Sequence, residues 1–136
     1  RAYSAWNFAR KGAAMAHGAQ IRHAERYNGG DFSTFERFVL EWLPRRDLDQ
    51  GDYVFRPQSQ FLLNGQGNIG VRHVGRIEEP STYLQFLEDS LGRKIEIGHL
   101  NRTADPLRYR EAFTPEMRDT IARCYAADLE RFNYEF

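Results

Sequence analysis

The sequence predicts an α/β fold: a short parallel sheet flanked by helices, in a single domain over residues 1–136. Three observations predict it. Apolar residues recur at helical spacing in the segments 1–11, 33–44, 80–92 and 114–125. Two β-type runs, "IGVRHVGRIEE" and "KIEIG", bracket the third of these segments, and strand–helix–strand order implies a right-handed crossover with parallel pairing. The composition, 41% hydrophobic and 14% aromatic, supports one packed core, and no internal repeat, linker or low-complexity tract divides it. A parallel sheet normally has more than two strands with helices on both faces, so the predicted sheet is incomplete.

Each element has a local reason. "RAYSAWNFAR" reads as helix across 1–11 but starts with no cap before it, which suggests the middle of a longer element. Gly12, Gly18 and the pair Gly29–Gly30 loosen the stretch 12–30, with room for a few turns between Ala19 and Tyr27. In "DFSTFERFVLEWLP", Ser33 and Glu36 have capping-box spacing. Phe35, Phe38, Val39, Trp42 and Leu43 come after them at helical intervals, and Pro44 closes the element. Residues 44–57 are charged and turn-rich, helical character returns briefly at Gln58–Leu63, and "NGQGN" is a turn. Ile69, Val71, Val74 and Ile77 supply the apolar sites of the first strand. "PSTYLQFLEDSLG" sets Tyr83, Leu84, Leu87 and Leu91 on one helical face and ends at Gly92, a left-handed stop. "KIEIG" is the second strand, and a long polar loop runs from His99 to Phe113. Thr114 caps the last helix, Pro115 takes its first position, and Met117, Ile121, Cys124 and Tyr125 form its buried stripe.

Composition excludes several classes. Acidic and basic residues balance at 19 each, against the basic excess of general nucleic-acid binders. No apolar run approaches a membrane span, the mean hydropathy is −0.68, and no signal peptide is visible. Cys124 is the only cysteine, so it forms neither an internal disulfide nor a cysteine metal cluster, and it reads as a small core hydrophobe. Only Lys11 and Lys94 interrupt an otherwise all-arginine set of cations. Arginine's rigid fork suits phosphate and sulfate oxygens; a GC-rich coding sequence produces the same bias.

Ligands of open parallel sheets gather beyond the carboxyl ends of the strands. That edge would receive "GRIEEPS" and "HLNRTADPLRYREAFT", the second with Asn101, Arg102, Thr103, Arg108 and Arg110 ahead of a helix N-terminus. The competing reading is a solvated connector whose arginines pair with Asp105 and Glu111. His17 and His23 lack a helical metal spacing, and His73 reads as structural. His99 lies at the ligand edge with a pKa range suited to a base, but such a residue more often bonds its own loop, and it is not assigned to catalysis. The pairs Glu78–Glu79 and Glu88–Asp89 read as solvated faces.

"RAYSAW", "FRPQSQFL", "VGRIEEPSTYLQFLEDSLG" and "HLNRT…YREAFTPEMRDTIARCYAADLERFNYEF" occur in the order found in PAPS-dependent sulfotransferases of the carbohydrate-type and bacterial branch, which this chain resembles over nearly its whole length. The resemblance implies the C-terminal part of a P-loop-like three-layer domain. The first strand, the 5′-phosphosulfate loop and the catalytic base would then lie upstream, so no catalytic residue is assigned within residues 1–136 and the piece alone is expected to be inactive. It implies 3′-phosphoadenosine 5′-phosphosulfate (PAPS) as sulfuryl donor, no metal, and a small-molecule or carbohydrate acceptor with a hydroxyl or amine. Ser4 matches the serine on the 3′-phosphate, with Arg1 a weaker candidate beside it. Arg76 falls near the adenine, with Ile77 where an aromatic is common. Asn101, Arg102 and Thr103 fall in the loop that closes over the nucleotide. Arg56 and Gln58 are candidates for touching the acceptor or for bracing their turn, and Val54 stands where many relatives carry histidine.

The implied activity is sulfuryl transfer. The alternative is a noncatalytic α/β protein-interaction module; a small-molecule kinase has no G-x-x-x-x-G-K-[ST] motif to support it. An arginine-rich, cysteine-poor composition points to the bacterial cytoplasm, with the Golgi lumen as the eukaryotic counterpart.

Overall fold

The computed structural model describes residues 1–11, 21, 23–96, 98 and 111–135. Its α-helices are α1 (Ala2–Arg10), α2 (Phe35–Arg37), α3 (Pro80–Leu91), α4 (Pro115–Cys124) and α5 (Ala126–Phe132). Short 3-10 turns occur at Ala24–Tyr27, Gly30–Phe32, Leu43–Arg45 and Gln58–Phe61, and a π-helical turn at Phe38–Trp42. The chain forms two compact units, one of Arg1–Phe61 with Leu107–Phe136 and one of Leu62–Pro106.

The first unit is built around aromatic rings. Phe32, Phe38 and Phe55 are fully enclosed, and Trp42 lies within 5.3 Å of all three ring centroids. Tyr3, Trp6, Phe35 and Phe113 extend the cluster through edge and tilted contacts of 5.0–5.5 Å. Such geometries suit the ring quadrupole, and each adds on the order of 0.5–1.5 kcal/mol beyond burial. The buried Trp6 indole donates to the Phe32 carbonyl at 3.1 Å, so its polar atom is satisfied. Met117 and Ile121 of α4 complete the core, and α4 packs on the Phe38–Trp42 and Leu43–Arg45 turns.

The helix over residues 35–45 starts one residue later than its capping box implies. Thr34, not Ser33, accepts the Arg37 N–H, at 3.2 Å. α2 continues without a break through the π turn, where the Leu43 N–H reaches the Phe38 carbonyl. Pro44 explains the widening: it has no N–H for the Leu40 carbonyl, and its ring crowds that oxygen. Thr114 caps α4 as its sequence implies, accepting the Met117 N–H at 3.2 Å.

In the second unit α3 ends as expected at Gly92 (φ 65°), whose N–H returns to the Glu88 carbonyl at 2.8 Å. "NGQGN" is the expected turn, and the Asn64 side chain accepts the N–H groups of Gln66 and Asn68. Gly75 permits a close approach to α3: a Cβ there would fall 2.4 Å from the Tyr83 Cβ. His73 stacks on Phe86 at 4.4 Å, a structural contact.

The predicted sheet does not occur among the described residues. Among the described residues there is no strand, only an isolated antiparallel bridge between Leu63 and Ile69, so the incomplete P-loop-like three-layer arrangement with a short parallel sheet is overturned. The reason lies in the run itself. Ile69, Val71, Val74 and Ile77 keep period two for a single step and then shift to three, which cannot hold one face of a pleat. Gly70 and Gly75 weaken the interior further. These side chains stay exposed, Ile77 at 81%. In "KIEIG" the Ile95 N–H goes to the Glu88 carboxylate at 3.0 Å, in place of a ladder partner; Ile97 lies outside the described residues.

Candidate functional site

The side chains assigned from sequence fall into three groups. Asn101, Arg102 and Thr103 lie outside the described residues, as do His17, His99, Arg108 and Arg110. Arg76, in the second unit, forms an ion pair of 3.7 Å with Glu79, one turn on at the start of α3. Ser4 and Arg1 lie in the first unit at the start of α1, with Ser4 exposed on the first turn and Arg1 at the cap position.

Arg1 turns toward the chain. Its Nη2 lies 3.3, 3.5 and 3.4 Å from the carbonyl oxygens of Tyr53, Val54 and Arg56. Each contact is long for a hydrogen bond; together they place a cation over three converging dipoles. Burial lowers the pKa of Arg1, and the neighbouring Tyr125 and Asp128 raise it in part.

The same stretch of backbone is held from its other side. Asp128, 8% exposed, accepts the N–H groups of Gln58 (2.5 Å) and Ser59 (2.9 Å), capping the Gln58–Phe61 turn from seventy residues away. The Tyr125 hydroxyl donates to the Phe55 carbonyl at 2.8 Å. Burial pushes the pKa of this phenol up, and Arg1 works against that rise. Arg56 donates from Nε to the Gly51 carbonyl at 2.7 Å, which is the turn-bracing alternative. The backbone of "FRPQS" is therefore bonded by side chains of α1's cap, Tyr125 and α5.

Beside it a hollow of about 420 Å³ is lined by Pro44, Arg46, Asp47, Asp49, Pro57 and Arg123, among others. It is shallow and open to solvent. Its lining includes two arginines, Arg46 and Arg123, and two carboxylates, Asp47 and Asp49. Cys124 also borders it, half-buried, and burial raises the thiol's pKa, in keeping with a packing role. Among the described residues no group of three His, Cys, Asp or Glu side chains is placed to hold a metal, and no helix is long and apolar enough to cross a membrane.

Asp128 is the residue that reading the sequence missed. It stands seven positions after Ile121 and so continues the apolar stripe of Met117, Ile121 and Tyr125. A carboxylate in phase with a buried stripe is a signal in itself, since it must find donors inside. No family model matches the chain, and neither a curated protein nor a solved structure is significantly similar to it.

Proposed function

We propose that this chain is the nucleotide- and acceptor-binding part of a cytoplasmic bacterial sulfotransferase, which moves a sulfuryl group from PAPS to a hydroxyl or amine of a small-molecule or carbohydrate acceptor. One observation carries the reading. "RAYS", which the resemblance ties to the donor's 3′-phosphate, and "FRPQ", whose Arg56 and Gln58 are candidates for the acceptor or for bracing their turn, are more than fifty residues apart and meet directly through Arg1. Sulfuryl transfer needs donor and acceptor held together, because orientation supplies much of the rate. The mixed rim of the hollow beside Pro57 offers both donors and acceptors to a hydroxylated ligand. By the resemblance, Ser4, Arg76, Asn101, Arg102 and Thr103 hold the nucleotide. Arg1 is the weaker candidate for the phosphate, its guanidinium lying against the Tyr53, Val54 and Arg56 carbonyls. Cations and N–H donors around the leaving phosphate stabilise the charge that develops there.

Titration with 3′-phosphoadenosine 5′-phosphate by calorimetry tests this. Wild-type protein binds it. Arg102→Ala weakens binding by about tenfold or more, as expected for the loss of a charged hydrogen bond of about 1.5–3 kcal/mol. Ser4→Ala weakens it by a smaller factor. No binding by the wild type, or unchanged affinity in both variants, overturns the assignment.

A noncatalytic interaction module is the second reading, favoured by the exposed Val71, Val74, Ile77 and Leu91 of the second unit. It predicts no nucleotide binding.

A further inference from the structure

The chain holds two Asn–Gly pairs, Asn28–Gly29 and Asn64–Gly65, and both are exposed. Such a pair can react with itself, because the glycine's backbone nitrogen meets no Cβ on its way to the asparagine's Cγ. The two pairs have different surroundings, and those of Asn64 suit the reaction.

Asn64 opens a loop closed by the Leu63–Ile69 bridge. Its Oδ1 accepts the N–H groups of Gln66 at 2.9 Å and Asn68 at 3.1 Å. Gln66 lies beyond the Asn64–Gly65 peptide, so the first bond folds the side chain back along that peptide. The Asn64 backbone is held as well, donating to the Asn68 carbonyl at 2.8 Å and accepting from Gly67 at 3.0 Å. Among the described residues the Gly65 N–H has no acceptor, and a Cβ on Gly65 would meet no atom within 4 Å. The nitrogen is open to solvent base, and a ring closing there has room. Asn28 instead ends a 3-10 turn, with φ −89° and ψ −2°, and its side chain makes no hydrogen bond among the described residues.

We propose that Asn64 is a self-modification site, where the Gly65 nitrogen attacks the Asn64 side chain and the loop's own N–H groups stabilise the intermediate. Solvent hydroxide takes the Gly65 N–H proton. The nitrogen bonds to Cγ, and the Cγ–Oδ1 π pair moves onto Oδ1, where the Gln66 and Asn68 N–H groups already point. The pair then returns, the Cγ–Nδ2 bond breaks, and the nitrogen leaves as ammonia with a proton from water. Water opens the resulting succinimide at either carbonyl, giving aspartate or isoaspartate. Donors aimed at the oxygen where charge develops favour this path. They hold an anion about twice as strongly as a neutral carbonyl, so they lower the intermediate more than the resting amide. Either product adds a negative charge to a chain whose acidic and basic residues balance at 19 each. Isoaspartate also routes the main chain through Cβ and lengthens the loop between Leu63 and Ile69. This chemistry needs no nucleotide and stands apart from the sulfotransferase reading.

Peptide mapping by mass spectrometry, on the whole chain held in mildly alkaline buffer, tests it. Asn64 converts about fivefold or more faster than Asn28, since each net hydrogen bond to the reacting oxygen is worth about two- to tenfold in rate. In guanidinium chloride the two rates draw together, because the donors leave Oδ1. Asn64→Gln, which would need a six-membered ring, removes the main acidic species that accumulates on ion exchange. Equal or slower conversion at Asn64 in the folded chain overturns the proposal. So does a preference for Asn64 that survives in guanidinium chloride, because flanking sequence and not the turn would then set the rate.

Discussion

The two units of this molecule differ in where their apolar residues go. In the unit of Arg1–Phe61 and Leu107–Phe136, aromatic rings from separate segments of the chain converge, and Phe38, Val39, Leu43 and Phe55 have no solvent contact. In the unit Leu62–Pro106 no described side chain is buried, and Val71, Val74, Ile77 and Leu91 are exposed. Both contain hydrophobic runs of similar appearance. Phase separates them. Phe35, Phe38, Val39 and Trp42 recur on one helical stripe and meet a partner surface, whereas the 69–77 run changes period after its second member and presents no continuous face. Burial stabilises only where apolar residues share a face and something covers it.

That contrast breaks first at the aromatic core. Phe38→Ala removes a fully enclosed ring that touches Phe32, Trp42 and Phe55. It should cost about 3–5 kcal/mol, read as a lower urea midpoint with cooperative loss of tryptophan fluorescence. A cost under about 1 kcal/mol would mean that the ring cluster is not the core. Next comes the polar anchor. Asp128→Ala leaves the Gln58 and Ser59 N–H groups without their acceptor and should cost about 1.5–3 kcal/mol, measured in the same titration.

The third effect is a pH dependence confined to the first unit. Burial and the hydrogen bond to Asp52 raise the pKa of Tyr27, and burial raises that of Tyr125, both from an ordinary value of 10.0. The fold therefore favours the protonated phenols. Their contribution is complete below about pH 10 and declines as pH rises through the folded-state values. Each tyrosine adds a slope of at most about 1.4 kcal/mol per pH unit in that window. Urea unfolding between about pH 9 and pH 12 should show the decline, shallower in Tyr125→Phe; equal slopes in variant and wild type would count against the burial of that phenol. The smallest effect belongs to the second unit. Ile77→Ser should change stability by no more than about 0.5 kcal/mol, as for other exposed positions; a larger loss would show that this surface is covered in solution.

Local signals were legible wherever their physics is local. Thr114 with Pro115, Gly92 after α3, the "NGQGN" turn and the stripe of Met117 and Ile121 each act within a few residues, and each occurs where the sequence implies it. The capping box slipped by one position because Ser33 and Thr34 both offer a hydroxyl, and only the path of the entering chain chooses between them. The strands failed because β-type residues read as strand only if partners exist, and ladder partners come from elsewhere in a chain. Of the candidate site, Ser4 and Arg1 could be read from a motif, while the anchors could not. Tyr125 reads as one more core residue, and Asp128 as an ordinary helix carboxylate.

The sequence by itself determined α1, α3 with its stop at Gly92, the start of α4 and the aromatic stripe of residues 35–43, because periodicity and caps act on neighbouring backbone; the Pro44 stop did not hold, since a helical turn runs on through it to Arg45. Tertiary structure alone decided that Arg1, Tyr125 and Asp128 converge on one stretch of backbone more than fifty residues from each. A buried N–H or carbonyl must be satisfied by whatever group folding brings near it, and sequence distance does not constrain that choice.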